Sequence, residues 1–305
     1  MDLEWGLLLA IYLFLAGAGA GAFILAVAVE LLGKGKELRS FVRAGTLIAG
    51  PLTAAGMVFL VLDLGWVEVL NIQPWRMILL HTNFNPTSMI SWGTWILTFF
   101  IPLSFLYGMT RMGFKFFSER VEKILRYTSL LLAFGTAIYT GLDLSVVSAI
   151  PFWNNSLVPV LFLISALSTG LAASIVVAVI FDRSLLEKLK SLYILLVALV
   201  VTDLVFVFFL LFITSHSSVE ERASTSMLLT GQFSPHFWVR AVLFLLAIFL
   251  AIKLIVAAAE RSEPLAIGTP SLRRRVALVA PLLVLAGGFI LRYLVLEVGV
   301  PVSLI

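Results

Sequence analysis

Residues 157–181 have the sequence LVPVLFLISALSTGLAASIVVAVIF, and none of them carries a charge. A helix of about 20 apolar residues is long enough to cross the hydrocarbon core of a bilayer. The whole chain is 61% hydrophobic and 12% charged, which is more apolar surface than a soluble domain of 305 residues could bury. We therefore predict an all-α integral membrane protein, forming one polytopic membrane domain over residues 1–305. Seven further spans are predicted at approximately 6–32, 44–62, 90–110, 127–147, 191–215, 237–258 and 276–296.

Positive charges are concentrated in alternate loops. All but four of the 21 Lys and Arg residues lie in or next to the loops that follow spans 1, 3, 5 and 7. Because Lys and Arg are enriched in cytoplasmic loops, we predict that these loops are cytoplasmic and that both termini are extracytoplasmic. The protein would then be a multi-pass protein of the plasma or inner cell membrane. The outer side keeps Arg76, Arg222, Arg240 and Arg292.

Residue types that bind haem or metals are scarce. The chain has no cysteine, so it offers no thiolate for a disulfide or an iron–sulfur cluster. The histidines are His81, His216 and His236, all near outer loops. Haem b in membranes is usually ligated by histidines at helix depth. We therefore predict neither haem nor a metal site.

A polar and aromatic segment, residues 84–95, leads into span 3 on the outer side. Asn85 is a suitable N-cap and Pro86 suits the first helical position, which would place Ser88 and Trp92 in the first turns. One interpretation is a well-capped helix with tryptophans at the membrane interface. The other is a polar pocket with aromatic walls, which would bind a flat amphipathic ring.

Further candidate residues lie at the outer ends of spans 2 and 4. Tyr139 and Asp143 are four residues apart and share a helix face. Thr140 lies beside them, Asp63 ends span 2 at similar depth, and Asn154 follows span 4 in a polar and aromatic segment. A carboxylate beside a phenol suits proton exchange with a quinone oxygen. The alternative is that both aspartates only mark span ends in the headgroup layer.

Tyr12 in span 1 precedes a run of alternating glycine and alanine at 17–22. Small residues at this spacing let helices approach closely, and they also leave room for a bound planar ring. The sequence is compatible with either use of the glycines.

Two acids lie within the spans. Asp203 is the most deeply placed charge, midway along span 6. An acid at that depth is by default a functional candidate facing the bundle interior or a water chain, while the structural alternative is a neutral acid that ties two helices together by a hydrogen bond. Glu30 lies one turn from Lys34, so a local pair of these two is expected.

Together these residues resemble the NrfD-like integral membrane subunits of polysulfide-reductase-type complexes. The resemblance covers essentially the whole chain and is strongest from residue 5 to about 175. The segments that carry it are 12–23, 62–65, 85–95, 139–141, 151–155 and 165–167.

The resemblance implies eight spans in two four-helix bundles, without haem. The first bundle begins within residues 1–126 and continues through span 4 to about 147, and the second covers 157–296. The resemblance also implies a site for menaquinone or ubiquinone near the outer surface, with Tyr12 and Tyr139 nearest the ring. A ferredoxin-like four-cluster iron–sulfur subunit would dock there and connect to a catalytic subunit with a molybdenum or tungsten pterin.

The leading hypothesis is therefore a membrane anchor that oxidises quinol or reduces quinone for a respiratory reductase of the polysulfide, sulfur, dimethyl sulfoxide or nitrite type. Such a subunit is not catalytic alone. Protons would leave through Asp63 and Asp143, or exchange with the cytoplasmic side through Asp203. One rival is a secondary transporter or proton channel that uses Asp203, and another is a purely structural anchor.

Overall fold

The computed structural model describes residues 6–66, 84–182, 185, 188–259 and 270–302, and within these ranges the chain forms helices and no strand. In a bilayer each backbone N–H and C=O needs a partner within its own segment, so an apolar chain of this kind folds into helices. The helices are α1 (Leu7–Leu31), α2 (Arg39–Trp66), α3 (Met89–Met112), α4 (Glu119–Ser145), α5 (Leu157–Phe181), α6 (Lys190–Ser215), α7 (Val219–Leu229), α8 (Ser234–Ala259) and α9 (Pro270–Glu297).

Seven of the eight predicted spans coincide with helices that are long and apolar enough to cross a membrane, so this is a multi-pass helical membrane protein. The remaining predicted span, 127–147, also forms a long helix, α4, but it is not among those seven. Its apolar stretch is interrupted by Ser129, Thr136, Thr140 and Asp143, which lower its hydropathy. The eighth crossing and the positions of the termini therefore stay predictions.

Helices α1 and α5 form the centre of the molecule. Each is 72% buried over its most apolar stretch, compared with 28% for α6 and 22% for α8. Helices α1, α2, α3 and α4 contact one another in a ring, as do α5, α6, α8 and α9, and α1 packs against α5 where the two rings meet. The division into two four-helix bundles stays a prediction, and these contacts are compatible with it.

The glycines of α1 serve close helix packing. A Cβ placed on Gly21 would overlap the backbone carbonyl of Ala166 in α5, and Gly170 meets the backbone of α1 in the same way. On the other side of α1, a Cβ on Gly19 would lie 2.6 Å from the Ala49 carbonyl oxygen of α2. The space at Gly19 and Gly21 is therefore filled by neighbouring backbone.

Helix α7 lies within residues 216–236, which separate the predicted spans 191–215 and 237–258 and contain no predicted span. It begins with a complete capping box, because Ser218 Oγ accepts a hydrogen bond from the Glu221 N–H (3.2 Å) and Glu221 Oε2 accepts one from the Ser218 N–H (3.2 Å). This reciprocal pairing satisfies two donors that a helix N-terminus otherwise leaves open.

Candidate functional site

Tyr12, Tyr139 and Asp143 come together at one end of the helices. Tyr12 lies in the second turn of α1, and the other two lie in the last turns of α4, which runs the opposite way. The two tyrosines are 1% and 6% exposed and belong to the same hydrophobic cluster. Their phenol groups and the Asp143 carboxylate are close enough to interact electrostatically. The predicted phenol–carboxylate group is thus assembled from two helices.

The Tyr12 hydroxyl is the unusual atom of this cluster. It is buried, and no described residue provides it with a hydrogen bond of good geometry, although the Tyr139 phenol lies beside it. Leaving a buried hydroxyl unpaired costs about 1–3 kcal/mol. Buried polar groups of proteins are nearly always satisfied, so the Tyr12 hydroxyl is a candidate partner for a ligand or water oxygen.

Neighbouring backbone holds the two tyrosines in place. The Tyr139 ring packs directly on Gly93 of α3, where any Cβ would overlap it. In α2, a Cβ on Gly56 would lie 3.1 Å from the Tyr12 carbonyl oxygen. Gly56 lets α2 approach α1, and Gly93 lets α3 approach α4. The tyrosine end, which is the end of the helices where Tyr12, Tyr139 and Asp143 lie, is therefore closely packed in all four helices of the first ring.

The other two candidates from spans 2 and 4 have different surroundings. Asp63 lies at the end of α2 beside the N-terminus of α1, since a Cβ on Gly6 would be 3.3 Å from Asp63 Oδ1. Thr140 is fully buried, and its hydroxyl donates to the Ala137 carbonyl of its own helix (3.0 Å).

The segment before α3 differs from the prediction, because the helix begins at Met89 with Ser88 as its N-cap residue, and not at Pro86 after Asn85. The Asn85 side chain instead accepts hydrogen bonds from the N–H (3.0 Å) and the hydroxyl (2.7 Å) of Thr87. This local Asx turn competes with helix formation. It keeps residues 85–87 outside the helix and leaves Asn85 exposed.

Trp92, in the first turn of α3, contacts the turn formed by residues 85–87. Its indole N–H donates to the Pro86 carbonyl (3.0 Å), and its ring makes an edge contact with Phe84 at 5.1 Å. The Trp92 side chain is 46% exposed. Asn85, Ser88 and Trp92 therefore form a compact turn at the tyrosine end of the protein, with an exposed aromatic surface.

Asn154 and its neighbour Trp153 join α4 to the end of α9. Asn154 Nδ2 donates to the Ser145 carbonyl (2.7 Å) and so satisfies a group at the C-terminus of α4. Trp153 is fully buried and its indole N–H donates to the Val295 carbonyl (2.6 Å). The polar segment after α4 thus also has a structural role.

Asp203 forms a buried ion pair with Arg240 of α8. The side chains are 0% and 1% exposed, and the Arg240 guanidinium also lies over the Phe244 ring at 4.6 Å. Arg240, which was predicted among the outer-side cations, lies inside a helix and is buried between helices. Asp203 does face the interior, but its partner was not predicted. Its Oδ1 and the Arg240 Nε have no partner among the described residues.

Arg292 of α9 is a second buried arginine that was predicted on the outer side. Its guanidinium donates to the Leu13 carbonyl of α1 (3.0 Å) and to Ser165 Oγ of α5 (2.7 Å). It fits only because α1 has Gly17 there, where a Cβ would lie 2.6 Å from an Arg292 nitrogen. An arginine within a predicted apolar span was the signal, because charges inside a membrane are expensive and have partners.

Metal-binding residue types do not cluster in the described part of the chain, where no group of three His, Asp, Glu or Cys side chains could hold an ion. His216 interacts with the Phe212 carbonyl (2.8 Å) at the end of α6. His236 lies among Phe233 and Tyr293 rings. His81 lies outside the described residues.

The fold and this site define a multi-pass helical membrane protein with a phenol–carboxylate cluster at one end and a buried ion pair between two of its helices. Comparison with known proteins gives the family. The model of the family described as "Polysulphide reductase, NrfD" matches residues 1–302, and the chain belongs to this family. The resemblance seen in the sequence is therefore confirmed.

Individual relatives match over a part of their length. The C component of polysulfide reductase from Wolinella succinogenes is 28% identical over 194 residues, which are 58% of this chain and 59% of the relative. Protein NrfD of Escherichia coli is 28% identical over 212 residues, 60% of this chain and 62% of the relative. The corresponding component of tetrathionate reductase from Salmonella typhimurium is 35% identical over 96 residues, 31% of this chain and 28% of the relative. This protein thus aligns with about three fifths, or less, of these relatives.

Proposed function

We propose that this protein is the membrane anchor and quinone-binding subunit of a respiratory reductase complex. In this role it passes electrons between the membrane quinone pool and an iron–sulfur subunit on the extracytoplasmic face. The observation that carries the proposal is the buried Tyr12 hydroxyl, which lacks a well-aligned partner and lies beside Tyr139 and Asp143. Membership of the polysulphide reductase NrfD family supports it.

The residues of the tyrosine end fit a flat ring with oxygens at its edge. Tyr12 and Tyr139 supply hydroxyls that donate to or accept from a ring oxygen, within an otherwise apolar cluster. A bound quinol supplies two electrons and two protons. Asp143 is only partly buried, so it can accept a proton and pass it to water at the end of α4. The proposed binding region also includes the polar and aromatic residues around this cluster, which are Asn85, Ser88, Trp92, Thr140 and Asn154.

Protons leave by one of two proposed routes. The shorter route uses Asp143 and Asp63 at the end of the helices. The longer route runs through Asp203 toward the basic side and would make the reaction translocate protons. Its support is the Asp203 Oδ1, which is buried without a hydrogen-bond partner among the described residues.

The proposed partners follow from the names of the relatives. Two of them are named as components of reductases, one of polysulfide and one of tetrathionate. This protein has no cysteine, so an iron–sulfur cluster would take its thiolates from a partner. We propose a ferredoxin-like four-cluster subunit, docked beside the exposed Trp92 and Phe84, and a molybdenum- or tungsten-pterin subunit beyond it. The partner determines the terminal substrate.

Binding of a quinone analogue to the purified complex tests the proposal directly. We compare wild type with Tyr12→Phe and Tyr139→Phe, each of which removes one hydroxyl. Loss of one hydrogen bond weakens binding by roughly 3- to 10-fold. The matched control is Tyr107→Phe, because Tyr107 is also buried but lies at the opposite end of the helices, bonded to Glu30.

The outcomes separate the functional classes. Saturable binding that weakens in the Tyr12 or Tyr139 variant, and not in the control, supports a quinone site at this end. No binding in any form, with an iron–sulfur protein still co-purified, would mean that the subunit only tethers its partners. Binding that weakens equally in all three variants would locate the site elsewhere.

A further inference from the structure

A large basic cavity lies at the end of the helices opposite Tyr12. It opens between the loop joining α1 to α2 and the loop joining α3 to α4, and its volume is about 970 Å³. That is at the upper end of the roughly 300–1,000 Å³ of small-molecule pockets, so the space exceeds what one inorganic anion needs. Six cationic side chains line it: Lys36, Arg39, Arg43, Arg111, Lys115 and Arg126.

The two carboxylates of the cavity are already engaged. Arg111 bonds both of them, Glu122 at 2.6 Å and Glu30 at 3.4 Å, and Tyr107 donates a hydrogen bond to Glu30. The expected pair of Glu30 with Lys34 is therefore replaced by a pair with Arg111. The other five cations form no salt bridge within the described ranges of the chain. A cavity with this excess of positive charge attracts an anion.

Two of these five cations are fixed in place. Arg43 donates through Nε to the Arg111 carbonyl (3.0 Å), which satisfies a group at the C-terminus of α3. Arg126 lies over the Tyr127 ring at 4.9 Å, and its Nε is buried with no partner among the residues described. Arginine held in this way presents a planar set of donors that suits phosphate oxygens.

An apolar groove continues from the cavity. It measures about 480 Å³, and Arg43 lines both spaces. The apolar walls of the groove are Ala44, Leu47, Met112, Val177, Ala178 and Phe181. Ser40 and Asp182, whose side chains are hydrogen-bonded to each other, also line it. The Phe181 side chain is 84% exposed. The combined space is therefore basic at the membrane surface and apolar along the helices below it.

We propose that the basic cavity and the apolar groove together bind an anionic phospholipid. The phosphate groups lie among Lys36, Lys115 and Arg126, and an acyl chain follows the groove past Leu47 and Val177. Basic pockets between membrane helices on the side of the basic loops are suited to phospholipid headgroups of negative charge. A free phosphate would have no use for the groove, which is why we assign a lipid.

The test uses the full-length protein, purified in detergent and depleted of lipid. Native mass spectrometry measures binding of phosphatidylglycerol and cardiolipin, with phosphatidylcholine of the same acyl chains and inorganic phosphate as comparison ligands. The charge variant combines Lys36→Gln, Lys115→Gln and Arg126→Gln. Its control combines Arg120→Gln, Lys123→Gln and Lys188→Gln, which remove three exposed charges from the same side without touching the cavity.

Each cation near an anionic headgroup contributes about fivefold to affinity, so the cavity variant should bind anionic lipid at least about tenfold more weakly than the control. For the groove, Val177→Trp should weaken lipid binding and leave phosphate binding unchanged. Val205→Trp, on an exposed face of α6, is its control. Equal affinity for phosphatidylcholine, equal loss in both triple variants, or phosphate bound as tightly as lipid would each overturn the proposal. None of these readouts depends on quinone binding.

Discussion

The two rings of helices differ in whether their buried polar groups have partners within the protein. In the first ring, the Tyr12 hydroxyl lacks a well-aligned partner and lies near the helix ends, beside Tyr139 and a partly exposed Asp143. In the second ring, Asp203 and Arg240 are paired deep between α6 and α8. Arg292 is likewise fully buried and bonded to three helices, including its own.

From this difference we infer that the Tyr12 cluster is a binding site and that the buried charges of the second ring hold helices together. A buried polar group that lies near a helix end and lacks a partner can pair with a ligand. A charge at membrane depth must be compensated by protein, because no water is there to solvate it. We therefore expect changes in the second ring to act mainly on stability, and changes at Tyr12 to act mainly on binding.

The largest effect is expected for Asp203→Asn. Removing the carboxylate leaves Arg240 as an uncompensated buried charge, which typically costs about 3–5 kcal/mol. Unfolding of the purified protein in detergent should show the loss. Its control is Asp203→Asn combined with Arg240→Gln, which should recover much of the stability. A stable single variant with slow turnover would instead make Asp203 a proton carrier.

Arg292→Lys should cost somewhat less, roughly 2–3 kcal/mol, because the positive charge remains. A lysine cannot reach the Leu13 carbonyl and Ser165 Oγ with one planar group. The same unfolding measurement checks this, with the exposed Arg222→Lys as the matched exchange. If both exchanges were equally mild, the hydrogen bonds of Arg292 would not fasten the rings together.

Gly21→Ala tests the contact between the two rings. Because the added methyl would overlap the Ala166 backbone, we expect a loss of about 1–3 kcal/mol, typical of overpacking. Gly135→Ala is the control, since its Cβ would have no contact closer than 3.4 Å. Thermal unfolding of the two variants side by side would reveal whether the crossing is as tight as described.

Tyr12→Phe should lower stability least, with an expected change between zero and a gain of about 1 kcal/mol. The hydroxyl it removes forms no well-aligned hydrogen bond with described residues, so its loss can even be slightly favourable. Quinone-analogue binding should nevertheless weaken. A large loss of stability would show that the Tyr12 hydroxyl is structural, and would contradict the contrast between the rings.

The eight long helices and the end at which Tyr12 and Asp143 lie could be predicted from the sequence. Apolar runs located the helices because the bilayer dictates their length, and alternating helix direction brought Tyr12 and Asp143 to one end. The start of α3 was misplaced because the Asx turn at Asn85 is a local competition between similar energies. Helix α7 could have been predicted, since Ser218 and Glu221 have capping-box spacing.

The buried ion pair could not be predicted in the same way. Asp203 and Arg240 lie on α6 and α8, which are separated in the chain by α7. Their contact depends on how each helix is rotated about its axis, and apolar composition contains little information on that rotation. The basic cavity could not be predicted either, because its cations come from two regions that are distant in the chain. In the sequence, the positive charge of each region indicates only on which side of the membrane it lies.

The crossing of α1 and α5 limits how this protein can move. Transporters that work by alternating access rock one group of helices against another around a fixed site. Such rocking needs an interface whose side chains can exchange partners. Here Gly21 and Gly170 bring backbone against backbone, and Arg292 holds the same two helices from a third. The close packing at this crossing therefore argues against alternating access by movement of α1 relative to α5.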